Sequence, residues 1–135
     1  MKQRVLFICT HNSARSQMAE GLLRHLGNDR FEVFSAGTQA TFVRPMAIQV
    51  MTELGIDIAY QVSKTLDRYL DQPFDDVITV CDTAAEACPV FPGAVHRRHW
   101  SFTDPSKATG SESEQLQVYR QVRDEIRSRI ENELL

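Results

Sequence analysis

A cysteine and an arginine six residues apart are the best candidates for chemistry in this sequence. Cys9 follows a short apolar run, and Arg15 opens an amphipathic stretch. A thiol between a buried strand and a helix N-terminus would lie among backbone N–H groups and in the positive potential of the helix, which together bind anions. The guanidinium can hold a tetrahedral oxyanion through two hydrogen bonds, and the same potential favours a thiolate. The pattern therefore predicts a nucleophile inside an oxyanion-binding loop.

The predicted loop runs from residue 9 to residue 16 and contains no glycine. This excludes a dinucleotide-binding fingerprint and a Walker loop, because both need glycines. Spacing alone fits a buried structural cysteine equally well, but its place between a strand and a helix favours function. We expect the hydroxyls of Ser13 and Ser16 to hold the thiolate. The anion-binding residues are predicted to be Thr10, His11, Asn12, Ser13, Ala14, Arg15 and Ser16.

A second group of candidate residues lies further along the chain. Asp104 precedes a proline, which favours an extended, rigid backbone, and its carboxyl could protonate a departing oxygen. Cys81 is predicted to end a strand next to the strand that Cys9 ends, close enough for a disulfide. Cys88 lies seven residues beyond Cys81, so joining these two requires residues 82–92 to rearrange if they are helical. From the residues alone, an ordinary Asp-Pro turn and two buried structural thiols stay open interpretations.

Alternating apolar and amphipathic segments predict the fold. The apolar run over residues 4–8 is typical of a strand buried on both faces of a parallel sheet. We expect one doubly wound α/β domain over residues 1–135, with a four-stranded parallel sheet in the order 2-1-3-4 and helices on both faces. The other strands are predicted at 31–34, 76–80 and 94–100, and the helices at 14–26, 45–54 and from 112 onward.

Composition limits the partners. The 135 residues carry 15 basic and 18 acidic side chains, a net charge of −3, which argues against a nucleic-acid groove or a polybasic membrane patch. No apolar stretch is long enough for a membrane span or a signal peptide. Three cysteines without an export signal favour reduced thiols in the cytoplasm, and we expect a monomer. His96 and His99 would face opposite sides of a strand, so no metal site is predicted.

Several segments resemble one known family. Residues 9–16 match the C-x5-R-S loop of the low-molecular-weight protein tyrosine phosphatases. The whole chain resembles the arsenate reductases built on that fold, the thioredoxin-coupled branch in particular. The loop identifies the superfamily, whereas the distal cysteine pair separates reductase from phosphatase. The matching segments are 9–21, 35–37, Cys81 with Cys88-Pro89, 99–105 and 122–126.

The resemblance implies the reduction of arsenate to arsenite, an arsenic detoxification. It implies that Cys9 attacks arsenic while Asp104 protonates the leaving oxygen. A disulfide then forms between Cys9 and Cys81 and is exchanged for one between Cys81 and Cys88. Reduced thioredoxin supplies the electrons that open it. Glutaredoxin with a small thiol, or another low-molecular-weight thiol, stays open as the donor. No bound cofactor is expected, and phosphate and sulfate should compete with arsenate.

One position departs from the family pattern. Some members hold a potassium ion near the loop through an Asn, a Glu, a Ser and an Asp. The corresponding residues here are Asn12, Glu20, Ser35 and Lys64. An ammonium cannot ligate a cation, so we expect Lys64 to pair with Glu20 in place of the ion and no potassium site to form.

Two other functions stay open. A tyrosine or other phosphomonoester phosphatase would use the same thiolate, arginine and acid through a phosphocysteine. The residues after Asp104-Pro105 lack the aromatic pair that is typical of phosphatases, so we expect only weak activity on aryl phosphates. A non-catalytic module that binds oxyanions or senses redox state would release no arsenite.

Overall fold

The computed structural model describes residues 2–82 and 91–135. Its sheet consists of strands β1 (Gln3–Cys9), β2 (Phe31–Gly37), β3 (Phe74–Thr79) and β4 (Ala94–His99). All pairings are parallel, and the order is β2-β1-β3-β4, as predicted. The α-helices are α1 (Arg15–Gly27), α2 (Pro45–Thr52) and α3 (Glu112–Glu133), and short 3₁₀ helices span Asn28–Arg30, Leu66–Tyr69 and Pro105–Lys107.

The central strand β1 explains why its sequence is so apolar. It pairs with β2 on one side and β3 on the other, and Val5 through Cys9 are all buried. A strand with partners on both sides and packing on both faces has no place for polar side chains. The boundaries of β3 differ from the prediction, since it ends at Thr79. Cys81 therefore lies two residues beyond the strand end.

Helical segments cover both faces of the sheet. All three α-helices pack on one face, where Val5 and Phe7 of β1 join a single apolar cluster with them. On the other face, Leu6 and Ile8 pack with Tyr69 of a 3₁₀ helix and with the rings of Phe74 and Phe91. Helical segments thus lie on both faces of the sheet, as predicted for a doubly wound domain. Among the described residues, the segment on the second face is a 3₁₀ helix.

Helix α3 is anchored at both ends. It begins with a capping box, in which Ser111 Oγ accepts from the Glu114 N–H and the Glu114 carboxylate accepts from the Ser111 N–H. Near its end, Glu133 Oε1 accepts from Trp100 Nε1 at 3.2 Å. The Trp100 ring is 1% exposed and packs against Phe102, so the segment after β4 is fixed in place. None of the helices within residues 2–82 and 91–135 is long and apolar enough to cross a membrane.

Candidate active site

The loop of residues 9–16, here called the Cys9 loop, joins β1 to α1 at the carboxyl edge of the sheet. Ala14 is the N-cap of α1, and no side chain of the described residues caps the first turn, which also lacks acidic residues. No capping side chain of the described residues therefore competes with a ligand at the start of this helix. The N–H groups of the first turn and the positive end of the helix favour an anion.

The Cys9 thiol is free and almost fully buried. Its Sγ lies 2.8 Å from Ser16 Oγ. Asn12 Nδ2 donates to that same oxygen at 2.8 Å, so the Ser16 hydroxyl can direct its proton at the sulfur and stabilise a thiolate. The other predicted hydroxyl, that of Ser13, forms no such bond among the described residues. The Ser13 carbonyl instead accepts from the Arg44 N–H at 2.9 Å.

Asn12 shapes the loop. Its φ is 48°, a left-handed value that asparagine tolerates better than most residues. Besides Ser16, its Nδ2 donates to Ser35 Oγ at 3.0 Å. Its Oδ1 accepts from Gln17 Nε2 at 2.9 Å and from the Lys64 N–H at 2.8 Å. A buried amide with these four bonds fixes the turn that leads into α1.

Gln17 is a structural residue of the site that the sequence did not reveal. It is fully buried on α1, and its Nε2 also donates to the carbonyls of Asn12 and Val62, each at 3.1 Å. Gln61 Nε2 in turn donates to Gln17 Oε1 at 2.8 Å. The only signal in the sequence was a glutamine among the apolar residues of the predicted first helix. Helical spacing carries no information about hydrogen-bond partners that lie far away in the chain.

Arg15 and Asp104, predicted to act together, lie side by side. Arg15 NH2 is 3.5 Å from Asp104 Oδ2, and the Arg15 side chain is 3% exposed. Arg15 NH1 also donates to the Phe102 carbonyl at 3.2 Å. Asp104 Oδ1 accepts from the Ser106 N–H at 3.0 Å and from Ser106 Oγ at 2.7 Å. Both functional groups are therefore held rigidly at the edge of the sheet where the Cys9 loop lies.

Lys64 and Glu20 meet beneath the loop. Lys64 Nζ lies 3.8 Å from Glu20 Oε1 and donates to the Val62 carbonyl. Glu20 Oε1 also accepts from Ser35 Oγ, and its Oε2 lies 2.6 Å from Arg24 NH2. Burial lowers the pKa of the Lys64 ammonium, and the Glu20 carboxylate opposes that shift. Glu20 therefore has two cationic side chains beside it, those of Arg24 and Lys64.

The outer side of the Cys9 loop rests on the segment that follows β2. The Thr10 carbonyl accepts from the Gln39 N–H at 3.0 Å. The His11 carbonyl accepts from Thr41 Oγ1 at 3.1 Å and from Ser63 Oγ at 3.2 Å. The described contacts of His11 are thus made by its backbone, and they hold the rim of the loop.

Gly37, the last residue of β2, must be small because the loop passes over it. A Cβ at this position would lie 2.6 Å from the Thr10 carbonyl oxygen and 2.9 Å from the Asn12 nitrogen, both backbone atoms. Gly37→Ala is therefore expected to lower the free energy of unfolding by about 1–3 kcal/mol, as overpacking usually does. Urea unfolding measures the change.

Gly93→Ala is the matched control for that variant. A Cβ there would meet the Phe91 ring at 3.1 Å and the Gln72 carbonyl oxygen at 3.3 Å, both farther away than the backbone atoms at Gly37, so the loss should be smaller. Equal losses in the two variants would show that contact with the Cys9 loop is not what requires glycine at position 37.

Cys81 lies beside the end of β1. Its Sγ is 3.8 Å from the Ile8 carbonyl oxygen, next to Cys9, and the residue is fully buried. Cys81 is disulfide-bonded in the structure. The predicted relay residue Cys88 lies outside the described residues, as does most of the segment 82–92 for which a rearrangement is predicted.

Comparisons with known proteins agree with this geometry. The family model for low molecular weight phosphotyrosine protein phosphatase matches residues 4–134. An arsenate reductase of Halalkalibacterium halodurans is 48% identical over 96% of this chain and 93% of its own length. The arsenate reductase of Bacillus subtilis is 44% identical over 93% of this chain and 91% of its own length.

A solved structure gives the same result. It is described as an arsenate reductase in the phosphate binding state, and it matches with a TM-score of 0.82 and 35% identity, over 96% of this chain and 95% of that one. The match along nearly the whole length fits the resemblance of the Cys9 loop. The relatives named here are arsenate reductases, and the chain belongs to the low molecular weight phosphotyrosine protein phosphatase family.

Proposed function

We propose that the protein reduces arsenate to arsenite, with Cys9 as the nucleophile. The observation that carries the proposal is the position of a free, buried thiol in a loop at the uncapped start of α1, on the sheet edge that also carries the Arg15–Asp104 pair. The names of the relatives support arsenate as the substrate, because arsenate has the charge and tetrahedral shape that such a loop binds.

The first step would form a bond between sulfur and arsenic. Arsenate binds to the N–H groups of the Cys9 loop, and Arg15 neutralises part of its charge. The Cys9 thiolate, stabilised by the Ser16 hydroxyl, attacks arsenic and one oxygen leaves. The Asp104 carboxyl would pass a proton to this oxygen, so that the oxygen departs as water. The product is a thiol ester of arsenate on Cys9.

The second step would transfer two electrons to arsenic. Cys81 attacks the Cys9 sulfur, the sulfur–arsenic bond breaks with its electron pair going to arsenic, and arsenite leaves a Cys9–Cys81 disulfide. Cys88 then attacks Cys81 and frees the Cys9 thiolate. The position of Cys81 beside the end of β1 supports this order, as does a free Cys9 in a structure with a disulfide-bonded Cys81.

A reductant must then return two electrons to the Cys81–Cys88 disulfide. We propose thioredoxin for this role and a monomer in the cytoplasm as the active form, by the family resemblance. Transient catalytic disulfides are compatible with a reducing compartment. Phosphate and sulfate are expected to compete with arsenate for the Cys9 loop.

The test is a reaction without an external reductant. Fully reduced protein is incubated with arsenate under anaerobic conditions, arsenite is assayed, and disulfides are mapped by mass spectrometry. We expect nearly one arsenite per chain and a Cys81–Cys88 disulfide. A parallel sample with Cys9 replaced by serine should give no arsenite and no disulfide.

A phosphatase reaction is the main competing outcome. If arsenite does not form and all thiols stay free, aryl phosphate hydrolysis by the wild-type protein becomes the decisive assay. Trapping of a phosphocysteine on Cys9 would then replace the proposed reductase. Anion binding without either reaction would indicate a non-catalytic module.

The Lys64–Glu20 pair predicts independence from potassium. Because the ammonium already lies next to Glu20, replacing sodium by potassium at equal ionic strength should leave turnover unchanged. Steady-state arsenite release in the two salts measures this, and circular dichroism melting in the same buffers checks for an effect on stability. A clear rise in turnover or melting temperature with potassium would contradict the prediction.

A further inference from the structure

A small cavity next to the Asp104 segment plays no part in the proposed reaction. It lies between the starts of α2 and α3 and the 3₁₀ helix Pro105–Lys107, and its volume is about 230 Å³. We call it the Arg44 cavity. Its lining consists of Arg44, Pro45, Met46, Ser106, Gln115 and Tyr119.

Arg44 lines this cavity and carries a buried donor that has no partner among the described residues. Its Nε is buried and has no hydrogen-bond partner within residues 2–82 and 91–135, and its guanidinium forms no ion pair with any described residue. The guanidinium carbon lies 4.9 Å from the centre of the Phe42 ring, and the Arg44 N–H holds the Ser13 carbonyl. The Arg44 backbone is thus fixed to the loop while the guanidinium packs on the ring, and a buried N–H of a cation is costly without an acceptor.

Tyr119 contributes a second donor. The residue is 4% exposed, and its hydroxyl makes no hydrogen bond to the described part of the chain. Burial raises the pKa of the Tyr119 phenol, Arg44 opposes that shift and Asp104 adds to it. Because its pKa is raised, the phenol keeps its proton at neutral pH and can donate a hydrogen bond.

The remaining polar groups leave the cavity electrically positive. Ser106 Oγ donates to Asp104 Oδ1 at 2.7 Å, and Gln115 Nε2 donates to the Gly110 carbonyl at 3.0 Å. The charge of Asp104 is balanced by Arg15 at 3.5 Å. None of the lining residues is acidic, so Arg44 is the only charged residue in the lining.

We propose that the Arg44 cavity binds a small oxyanion at a site separate from the Cys9 loop. Arg44 and Tyr119 would donate hydrogen bonds to the anion, and the volume admits a group of the size of sulfate or a short carboxylate. The two sites are connected, because Arg44 holds Ser13 of the loop and Ser106 holds Asp104. This inference does not depend on arsenate being the substrate of the Cys9 loop.

The test follows anion binding at the two sites separately by NMR. The ¹⁵N-labelled protein is titrated with sodium sulfate against sodium chloride at constant ionic strength, and a second titration uses acetate. We expect the amides of the Cys9 loop and those of Ser106, Gln115 and Tyr119 to shift with different midpoints. If only acetate shifts the amides of Ser106, Gln115 and Tyr119, the cavity binds carboxylates. If sulfate shifts them, the cavity binds tetrahedral anions.

Three variants identify the donors. Arg44→Gln should weaken binding at the cavity by roughly tenfold or more, since it removes a charged donor, while the loop midpoint stays nearly unchanged. Tyr119→Phe should weaken the same site less. Arg30→Gln is the matched control, because Arg30 also stacks on a phenylalanine ring, at 5.2 Å, but lies away from the cavity.

Three results would overturn the proposal. The first is a single midpoint for all shifted amides in the wild-type protein, which would leave only the Cys9 loop as a site. The second is a cavity midpoint that Arg44→Gln does not change. The third is an equal weakening by Arg44→Gln and Arg30→Gln, which would indicate a general effect of net charge. None of these results bears on arsenate reduction, so the two proposals can fail independently.

Discussion

Protein with Cys88 replaced by serine is expected to release one arsenite per chain and then stop. In the proposed relay, arsenic is reduced when Cys81 attacks Cys9, and this step needs no third thiol. Without Cys88, however, the Cys9–Cys81 disulfide has no internal thiol to open it, so the nucleophile stays blocked. Anaerobic arsenite assays with thioredoxin present, followed by peptide mapping, would show a stoichiometric burst and a trapped Cys9–Cys81 bond.

Cys81→Ser is the matched comparison for that variant. It removes a thiol as well, but one step earlier, so it should give no burst and should accumulate the arsenic adduct on Cys9 or require an added thiol. The order of the two phenotypes tests the order of the relay. Sustained turnover of Cys88→Ser with thioredoxin alone would remove Cys88 from the mechanism.

Arg15→Lys is expected to lower kcat/KM for arsenate by roughly 10²–10³, the loss usually seen when one oxyanion donor is removed. Lysine keeps the positive charge but cannot contact the Phe102 carbonyl and Asp104 at once, as the guanidinium does here. Both the geometry at the anion and the position of the acid should suffer. Initial rates at several arsenate concentrations measure the effect.

Arg123→Lys supplies the control for losing a buried guanidinium. Arg123 also bridges a backbone carbonyl and a carboxylate, those of Val50 and Glu53, each at 2.8 Å, but between α2 and α3. It should lose stability without losing kcat/KM. If Arg15→Lys keeps kcat/KM within a small factor of the wild type, the arginine is not the donor that stabilises the transition state.

The fold could be predicted because the decisive signals are local. The run from Val5 to Ile8 requires burial on both faces, and this fixes β1 at the centre of the sheet. The alternation of strands and helices then leaves few topologies. The ends of the strands were less predictable. β2 continues to Gly37 and β3 ends at Thr79, because pairing with strands that are distant in the chain decides where each strand ends.

The site could be predicted only in part. Cys9 and Arg15 share one local motif, and the rule that parallel strands end at one edge places Asp104 nearby. The contacts that hold the loop are long-range polar pairs, such as Gln61 to Gln17, and no spacing rule predicts them. Arg44 was missed for the same reason, because only the folded chain shows that its Nε is buried.

The burial of Trp100 has a practical consequence, because it is the only tryptophan in the sequence. Its indole lies among Phe7, Phe102 and the Arg129 guanidinium, whose carbon is 5.6 Å from the ring centre. Tryptophan fluorescence therefore originates from one buried position, and its emission should move to longer wavelength when that position opens to water. Asp104 lies four residues after Trp100 in the chain. A change in the position of the Asp104 segment should therefore change the Trp100 emission, and no added label is needed to detect it.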